Sequence, residues 1–271
     1  MKKIYFVFLL FALVMTGCNT KGAQSGTVED TGKSDRKNTT SSFKVLVLTE
    51  RGGQHGSFTD AAFEWLNTFS KENNFEYTEI NNTDNINSDY LSEYKLIIQL
   101  DFPPYTWTKE AEAAFISYIE EGKGGWVGFH HATLLGEFDG YPMWQWFSDF
   151  MGSIRFKNYI AETASATVHI EDSGHPIMKG VENSFTLMDD EWYTFDKNPR
   201  DNANIHVLAN VDESTYEPMS VIKMGDHPAI WTNKNMKARN VYFLMGHAKS
   251  LFDSENFTKM FANAILWAAN S

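Results

Sequence analysis

Two adjacent histidines close a short apolar segment in the middle of the chain. Residues 124–132 read GGWVGFHHA, so His130 and His131 follow a glycine-bounded apolar run that is typical of a buried strand. His247 stands one glycine beyond a second such run, at 241–245. Imidazole titrates near neutral pH and can act as an acid, a base or a metal ligand. Because ligands of an open parallel α/β sheet bind beyond the carboxyl ends of its strands, the two strands predict one shared site.

Carboxylates and aromatic rings stand together in the segment DDEWY at 189–193. Asp190 and Glu191 could hold sugar hydroxyls or move protons, and Trp192 and Tyr193 could stack on a sugar ring. The alternative is a solvated turn in which Trp192 belongs to the core. The spacing alone favours neither interpretation.

Strand geometry separates the paired histidines. Neighbouring residues of a strand point to opposite faces, so His130 and His131 share one pocket only if the backbone turns between them. We therefore expect one of them to face a ligand and the other to pack behind it. Among the remaining histidines, His227 precedes a predicted strand and follows Asp226, which leaves its role open, whereas a structural or surface role is predicted for the others, His169, His175 and His206.

The predicted elements place these residues at one edge of a sheet. Strands are predicted at 43–48, 75–80, 94–100, 124–129, 205–209, 220–222, 229–231 and 240–245, with inserted strands at 166–170 and 185–188. Helices are predicted at 58–69, from Thr108 to Gly122, and at 257–268. The alternation of apolar strands with helices in the first half predicts an α/β fold with a parallel sheet covered on both faces. The histidine strand is central, and its end lies beside His55 and Asp101.

The first residues predict export and anchoring. Lys2 and Lys3 precede an apolar run at 4–15 that is too short to span a bilayer and is typical of a secretory signal. The run ends in MTGC, which resembles the lipobox of bacterial lipoproteins, with an ordinary secreted protein as the alternative. We thus predict a signal peptide at 1–17, lipidation at Cys18, a polar tether at 18–42 and one domain at 43–271. The expected location is the cell envelope, facing the periplasm or the cell surface.

Composition excludes several classes of function. The formal net charge of −12 makes nucleic acid an unsuitable partner. Cys18 is the only cysteine, so the domain can form no disulfide, thiolate metal site or cysteine nucleophile. Aromatic residues make up 15% of the chain, which suits a carbohydrate ligand, although core packing accounts for most of them.

Six motifs in order resemble the ThuA-like family, named for trehalose utilisation. They are GGWVGFHHA, HPIMKG, DDEWYTFDKNPR, VLANVDESTY, MGDHPAIW and NVYFLMGH, and the resemblance covers residues 43–270. It implies a flavodoxin-like three-layer sandwich with a mainly parallel sheet and a small inserted β region, akin to class I glutamine amidotransferases. Those enzymes often carry a cysteine on the turn where this chain has His130, so thiolate glutaminase chemistry is excluded.

The resemblance also implies a site and a class of substrate. Many members have His-Ser in place of the two histidines, so His130 corresponds to the family residue and His131 to a local variation. We predict His130, Glu191 and His247 as catalytic residues. The residues predicted to bind substrate are His55, His131, Asp190, Trp192, Tyr193, Asp226 and His227.

The expected ligand is a trehalose-like glycoside or keto-sugar, which the protein would hydrolyse or isomerise by histidine and carboxylate acid–base chemistry. One alternative is a tethered protein that binds sugar, or serves as a scaffold, without catalysis. Another is a metal-dependent hydrolase in which His130 and His247 bind zinc. No cofactor is expected in the first interpretation, and the chain lacks a compact zinc motif such as H-E-x-x-H.

Overall fold

The computed structural model describes residues 42–271. The predicted signal peptide, Cys18 and nearly all of the tether lie outside this range, so these features stay predictions. Within the described range, no helix combines the length and the apolar composition needed to cross a membrane.

Helices and strands alternate through the first half of the described chain. The strands are β1 Phe43–Leu48, β2 Phe75–Ile80, β3 Leu96–Gln99, β4 Gly125–Phe129, β5 Phe156–Tyr159, β6 Ala164–Ile170, β7 Ser184–Asp190, β8 Tyr193–Phe195, β9 Ile205–Glu217, β10 Pro228–Asn233 and β11 Asn240–Phe243. The helices are α1 Gly56–Glu72, α2 Ser88–Ser92, α3 Lys109–Glu121, α4 Gln145–Phe150 and α5 Glu255–Ala268. Short 3-10 turns lie at Gly53–His55, His130–Thr133, Pro176–Met178, Pro199–Asp201 and Lys249–Asp253.

The described residues contain a nine-stranded sheet in the order β2-β1-β3-β4-β11-β10-β9-β6-β7. Strands β2, β1, β3, β4 and β11 are parallel, and the pairs from β11 to β7 are antiparallel. The α/β fold class predicted from the sequence is confirmed. The parallel arrangement ends at β11, because β10 and β9 pair antiparallel. Strands β6 and β7, which we expected as a separate insertion, extend this antiparallel half.

Helices cover both faces of the parallel half. Phe129 of β4 packs against Phe58 of α1 and Phe261 of α5. Three residues earlier, Trp126 points to the opposite face and packs against Phe147 of α4, which in turn stacks on Phe115 of α3. This arrangement is the three-layer sandwich of a flavodoxin-like fold.

Local signals explain where α3 begins and ends. The Thr108 hydroxyl accepts a hydrogen bond from the Ala111 N–H, as expected of an N-cap, and Gly122 ends the helix with φ of 73°. The strand predicted at 220–222 does not form, because that segment belongs to an irregular connection between β9 and β10. Its apolar run is short and largely exposed, with Val221 98% exposed, so it contributes little to the core.

The parallel strands deliver polar residues to one edge. Glu50, Asp101 and His130 lie one or two residues beyond the ends of β1, β3 and β4, and His247 follows β11. Since these four strands run in the same direction, their carboxyl ends meet at this edge, as the sequence predicts.

Candidate active site

A turn directly after β4 brings both of the paired histidines to the edge. His130 adopts φ of 32°, an unusual value for a residue with a side chain, and opens the 3-10 turn His130–Thr133. Gly246 allows this arrangement, because a Cβ atom there would lie 2.9 Å from the His130 Cβ. The backbone therefore turns where strand alternation would otherwise have sent the two rings to opposite faces.

Four side chains converge in a cluster that consists of His55, His130, Glu191 and His247. Each offers a nitrogen or oxygen atom, and these atoms lie within 4.8 Å of one another. His130 is fully buried, whereas the Glu191 and His247 side chains remain 12% and 13% exposed. We call this set the histidine–glutamate cluster. The cluster is closed to solvent at His130 and open to solvent at Glu191 and His247.

The His130 ring is held in one tautomer. Its Nδ1 lies 2.9 Å from the Leu244 carbonyl oxygen, which can only accept, so Nδ1 carries the proton. Burial lowers the pKa of His130 to about 3, which makes the ring neutral at pH 7. The unprotonated Nε2 therefore directs its lone pair at the Glu191 Oε2, 3.1 Å away. Two acceptors face each other at hydrogen-bond distance.

Glu191 resists ionisation in this environment. Burial raises its pKa, although the neighbouring histidines and a hydrogen bond from the Tyr193 phenol act in the opposite direction. The raised pKa favours a proton between Glu191 and His130, and that proton would satisfy both acceptors. The pair can thus hold or release a proton near a bound ligand.

His55 and His247 form the other end of the cluster. The His247 Nδ1 and the His55 Nε2 are 3.0 Å apart, and one ring donates to the other. Burial lowers the pKa of both histidines, so neither ring adds a positive charge. His131 lies beside them, with its ring centroid 3.8 Å from that of His55 and its Nδ1 donating to the Asp101 carbonyl oxygen.

Asp190 positions the turn that carries His247. Its carboxylate is fully buried and accepts hydrogen bonds from the backbone N–H groups of Gly246, His247 and Ala248. Burial raises the pKa of Asp190 to about 7, while the same N–H groups act to lower it. The substrate-binding role predicted for Asp190 does not match this placement, because its oxygens are occupied and no ligand can reach them.

The two aromatic residues after Glu191 have different environments. The Tyr193 ring packs 3.8 Å from the His130 ring, centroid to centroid, and is 3% exposed. Trp192 is fully buried, and its indole N–H donates to the Ala164 carbonyl oxygen. The stacking platform that we expected from Trp192 is therefore part of the core, and Tyr193 supports the cluster from behind.

Asp226 and His227 lie outside the cluster. Asp226 forms an ion pair with Arg200 at 2.8 Å on the surface. His227 is buried, with its Nε2 directed at the Tyr193 carbonyl oxygen and its Nδ1 at Glu213. The position predicted for these two residues in the substrate site is not observed, because Asp226 pairs with Arg200 and the His227 ring is enclosed between the Tyr193 backbone and Glu213.

Sequence reasoning missed an exposed acidic and aromatic group beside His131. The Glu50 Oε2 lies 3.6 Å from the His131 Nδ1, and the Tyr105 ring packs against Phe138 and Tyr141. Burial raises the pKa of Tyr105, and so do the nearby carboxylates of Glu50 and Asp139. We call Glu50, Tyr105, Asp139 and Tyr141 the tyrosine rim. The position of Glu50 two residues after β1 was the available signal, by the same strand-end rule that identified the histidines.

Fold and site together define a flavodoxin-like α/β protein with a histidine–carboxylate site at the carboxyl ends of its parallel strands. The model of the ThuA family, described as trehalose utilisation, matches residues 44–268. The chain belongs to the ThuA family.

One solved structure supports this assignment, and two others share the fold. A ThuA-like protein from Bacteroides uniformis is 30% identical, with 83% of this chain and 91% of that chain covered and a TM-score of 0.74. A ThuA-like protein from Parabacteroides merdae is 18% identical over 84% of this chain and 90% of that chain, with a TM-score of 0.62. A cytoplasmic protein from Salmonella typhimurium shares the fold at 12% identity, with 83% and 99% covered and a TM-score of 0.57. No curated protein matches the chain.

Proposed function

We propose that this protein is an enzyme that hydrolyses or isomerises a trehalose-like glycoside or its keto derivative at the histidine–glutamate cluster. The observation that carries the proposal is the contact between the His130 Nε2 and the Glu191 Oε2, 3.1 Å apart. The His130 Nε2 can only accept, and Glu191, whose pKa is raised by burial, can face it as a protonated donor or as a carboxylate. A pair that can exist with or without the proton suits a group that takes up and gives back a proton during a reaction.

The direction of proton transfer follows from the two environments. Glu191 has a raised pKa and is the natural general acid, whereas the neutral His130 or His247 can accept a proton. Glu191 and His247 are the partly exposed members of the cluster, so a sugar hydroxyl that enters from the open side can reach both. Membership of a family described as trehalose utilisation supports a sugar as the substrate.

The tyrosine rim supplies the features of a sugar subsite. Tyr141 is 46% exposed and can stack on the C–H face of a sugar ring. The Glu50 side chain, 44% exposed, can accept hydrogen bonds from sugar hydroxyls beside His131. We therefore assign to Glu50 and Tyr141 the binding role that the sequence suggested for Asp226 and Trp192.

Turnover by the full chain tests the proposal. Disaccharides and keto-disaccharides are incubated with the wild-type protein, with Glu191→Gln and with Glu72→Gln, a control on the exposed end of α1. We expect one class of sugar to be converted and Glu191→Gln to lower kcat by at least about 100-fold, the usual contribution of a general acid or base. Full activity of Glu191→Gln would contradict the assigned mechanism.

Binding measurements separate catalysis from a purely binding role. With the same sugars, Tyr141→Ala should raise Kd in calorimetry and KM in the turnover assay, while kcat changes little. Tight binding of a sugar by the wild-type protein, with no conversion of any sugar in the panel, would replace the enzyme with a tethered sugar-binding protein.

We also propose that the protein works in the cell envelope, anchored through a lipid on Cys18. The motif MTGC at 15–18 supports this proposal, and the acidic domain fits a small carbohydrate better than nucleic acid. Cells fed a labelled fatty acid should label the wild-type protein and leave Cys18→Ser unlabelled. Equal labelling of both proteins would contradict the anchor.

A further inference from the structure

We infer that the histidine–glutamate cluster holds a divalent transition-metal ion and that the reaction needs this ion. The inference rests on the proposed function for its sugar substrate and on the cluster alone for its geometry, and it makes His130, Glu191 and His247 metal ligands in place of acid–base groups. His55, His130 and His247 would each give one ring nitrogen, and Glu191 one carboxylate oxygen. Imidazole and carboxylate together are the ligand set of catalytic zinc sites and of related first-row metals.

The spacing of the four atoms is close to that of one coordination sphere. Bonds of about 2.0–2.2 Å at a tetrahedral ion place neighbouring ligand atoms roughly 3.3–3.5 Å apart. The His130 Nε2 lies 3.1 Å from the Glu191 Oε2, which lies 3.7 Å from the His247 Nδ1. The His247 Nδ1 is in turn 3.0 Å from the His55 Nε2. These three contacts bracket the edge length of such a sphere, and all four atoms lie within 4.8 Å of one another, so an ion would draw the wider pairs together.

The His130 tautomer supports an ion more specifically than proximity does. Donation from Nδ1 to the Leu244 carbonyl fixes the lone pair on Nε2, and a hydrogen bond from the distal ring nitrogen is a common feature of metal-ligating histidines. This lone pair belongs to a fully buried ring and points at a carboxylate oxygen. A cation between the His130 Nε2 and the Glu191 Oε2 would remove the repulsion between them, as a shared proton would. Unlike a proton, it could also be coordinated by His55 and His247.

Charge and access are also suitable. Three neutral imidazoles and one carboxylate would carry a single negative charge. A divalent ion would leave the site with a net charge of about +1, which an oxygen atom of a bound ligand can help to neutralise. The ring of His130 closes one side, whereas the partly exposed Glu191 and His247 leave an approach from solvent. A bound ion would polarise a sugar carbonyl or hydroxyl at that opening, within reach of His131 and the tyrosine rim.

The test uses the full chain without a histidine tag, stripped with a chelator and titrated with Zn²⁺. Bound zinc is measured by elemental analysis, and affinity by competition with a chelating dye. The variants are His55→Ala and His247→Ala, with His206→Ala as the control, because His206 is exposed and pairs with Asp172 away from the cluster. Titration with Co²⁺ adds a visible spectrum that reports the coordination of the ion.

We expect one zinc ion per wild-type chain, an affinity lowered at least about tenfold by either cluster variant, and no change in the control. The wild-type melting temperature should rise with zinc, a measurement that remains informative if a variant folds poorly. The inference is overturned if the wild-type protein binds substoichiometric zinc, or if the control loses as much affinity as the cluster variants.

Turnover distinguishes this inference from the proposed function. Conversion of sugar at full rate by the metal-free protein would overturn the metal requirement and leave the proposed enzyme intact. One zinc ion per chain without conversion of any sugar in the panel would overturn the enzyme and leave the metal centre. Sugar conversion that is lost on chelation and restored by Zn²⁺ supports both.

Discussion

Two buried histidine–glutamate pairs lie on either side of Tyr193, and they are built differently. In one, His130 presents a lone pair to Glu191. In the other, His227 directs its Nε2 at the Tyr193 carbonyl oxygen and its Nδ1 at the Glu213 carboxylate, 2.9 Å away. Each ring nitrogen of His227 therefore faces an oxygen that can accept a hydrogen bond.

The two glutamates differ in the same way. Burial acts to raise the pKa of Glu213, but hydrogen bonds from His227 and from the backbone N–H groups of Met224 and Gly225 hold it below its usual value. Among residues 42–271 no backbone N–H group is seen to donate to the Glu191 carboxylate, and its pKa is raised. A pair that satisfies itself stabilises the fold, whereas a pair that leaves acceptors facing each other is available to a proton, a metal ion or a substrate.

The largest expected effect is a difference in stability between two matched variants, Glu213→Gln and Glu191→Gln. Glu213→Gln should lower the free energy of unfolding by about 3 kcal/mol, because it removes a buried charge and its amide has one acceptor oxygen where the carboxylate has two, so an NH₂ group would face either the Gly225 N–H or the His227 and Met224 side of the network. Glu191→Gln should leave stability unchanged or raise it by about 1 kcal/mol, since its amide N–H can donate to the His130 Nε2.

Urea denaturation of both variants, with turnover measured on folded protein, checks this contrast. Glu213→Gln should keep the turnover that Glu191→Gln loses. Loss of stability in Glu191→Gln and loss of turnover in Glu213→Gln would reverse the assignment of the two pairs.

Acidification should act on the Glu213 pair. A carboxyl group with a lowered folded-state pKa contributes stability above its unfolded pKa of about 4.3, and this contribution is lost as the pH falls through the folded value. The difference in unfolding free energy between wild type and Glu213→Gln should thus be constant near neutral pH and shrink below about pH 4. Denaturation curves at a series of pH values measure it, and a difference that grows on acidification would contradict the predicted sign.

A smaller effect distinguishes the two tyrosines that serve these pairs. The Tyr216 hydroxyl lies 3.2 Å from the His227 Nδ1, and Tyr216→Phe should cost about 1 kcal/mol of stability with unchanged turnover. Tyr193 donates to Glu191, so Tyr193→Phe should shift the pH profile of turnover and change stability less. Thermal melts and pH–rate profiles of the two variants check the contrast, and identical profiles for wild type and Tyr193→Phe would break it.

Much of the parallel half could be predicted from sequence, because each of its elements carries its own local signal. The apolar run of β4 and the Thr108 cap indicated their elements directly, and the strand-end rule placed His55, His130 and His247 near one another. The antiparallel half could not be predicted in the same way. Its pairing order depends on contacts between distant strands, as when β6 joins β9, and no local pattern specifies such partners.

The same difference between local signals and distant contacts explains which site residues could be predicted from the sequence. Glu191 and Trp192 are neighbours in a segment with one composition, yet Glu191 reaches the cluster and Trp192 enters the core. The end of β7 decides this, since Asp189 takes φ of 52° and Asp190 is held by the turn after β11. Likewise, the positive φ of His130 depends on the absence of a side chain at Gly246, more than a hundred residues away.

The smallest effect concerns Asp226, which sequence reasoning placed with the substrate. Its carboxylate pairs with Arg200, whose guanidinium also contacts Glu171, and the hydrogen bond from Arg200 holds the pKa of Asp226 below its usual value. Because this network lies in solvent, Asp226→Asn should lower stability by less than about 1 kcal/mol and lose that effect in high salt. It should leave KM unchanged, in contrast to Tyr141→Ala. A raised KM for Asp226→Asn would bring Asp226 and its neighbour His227 back into the substrate site and would remove the functional distinction between the two histidine–glutamate pairs.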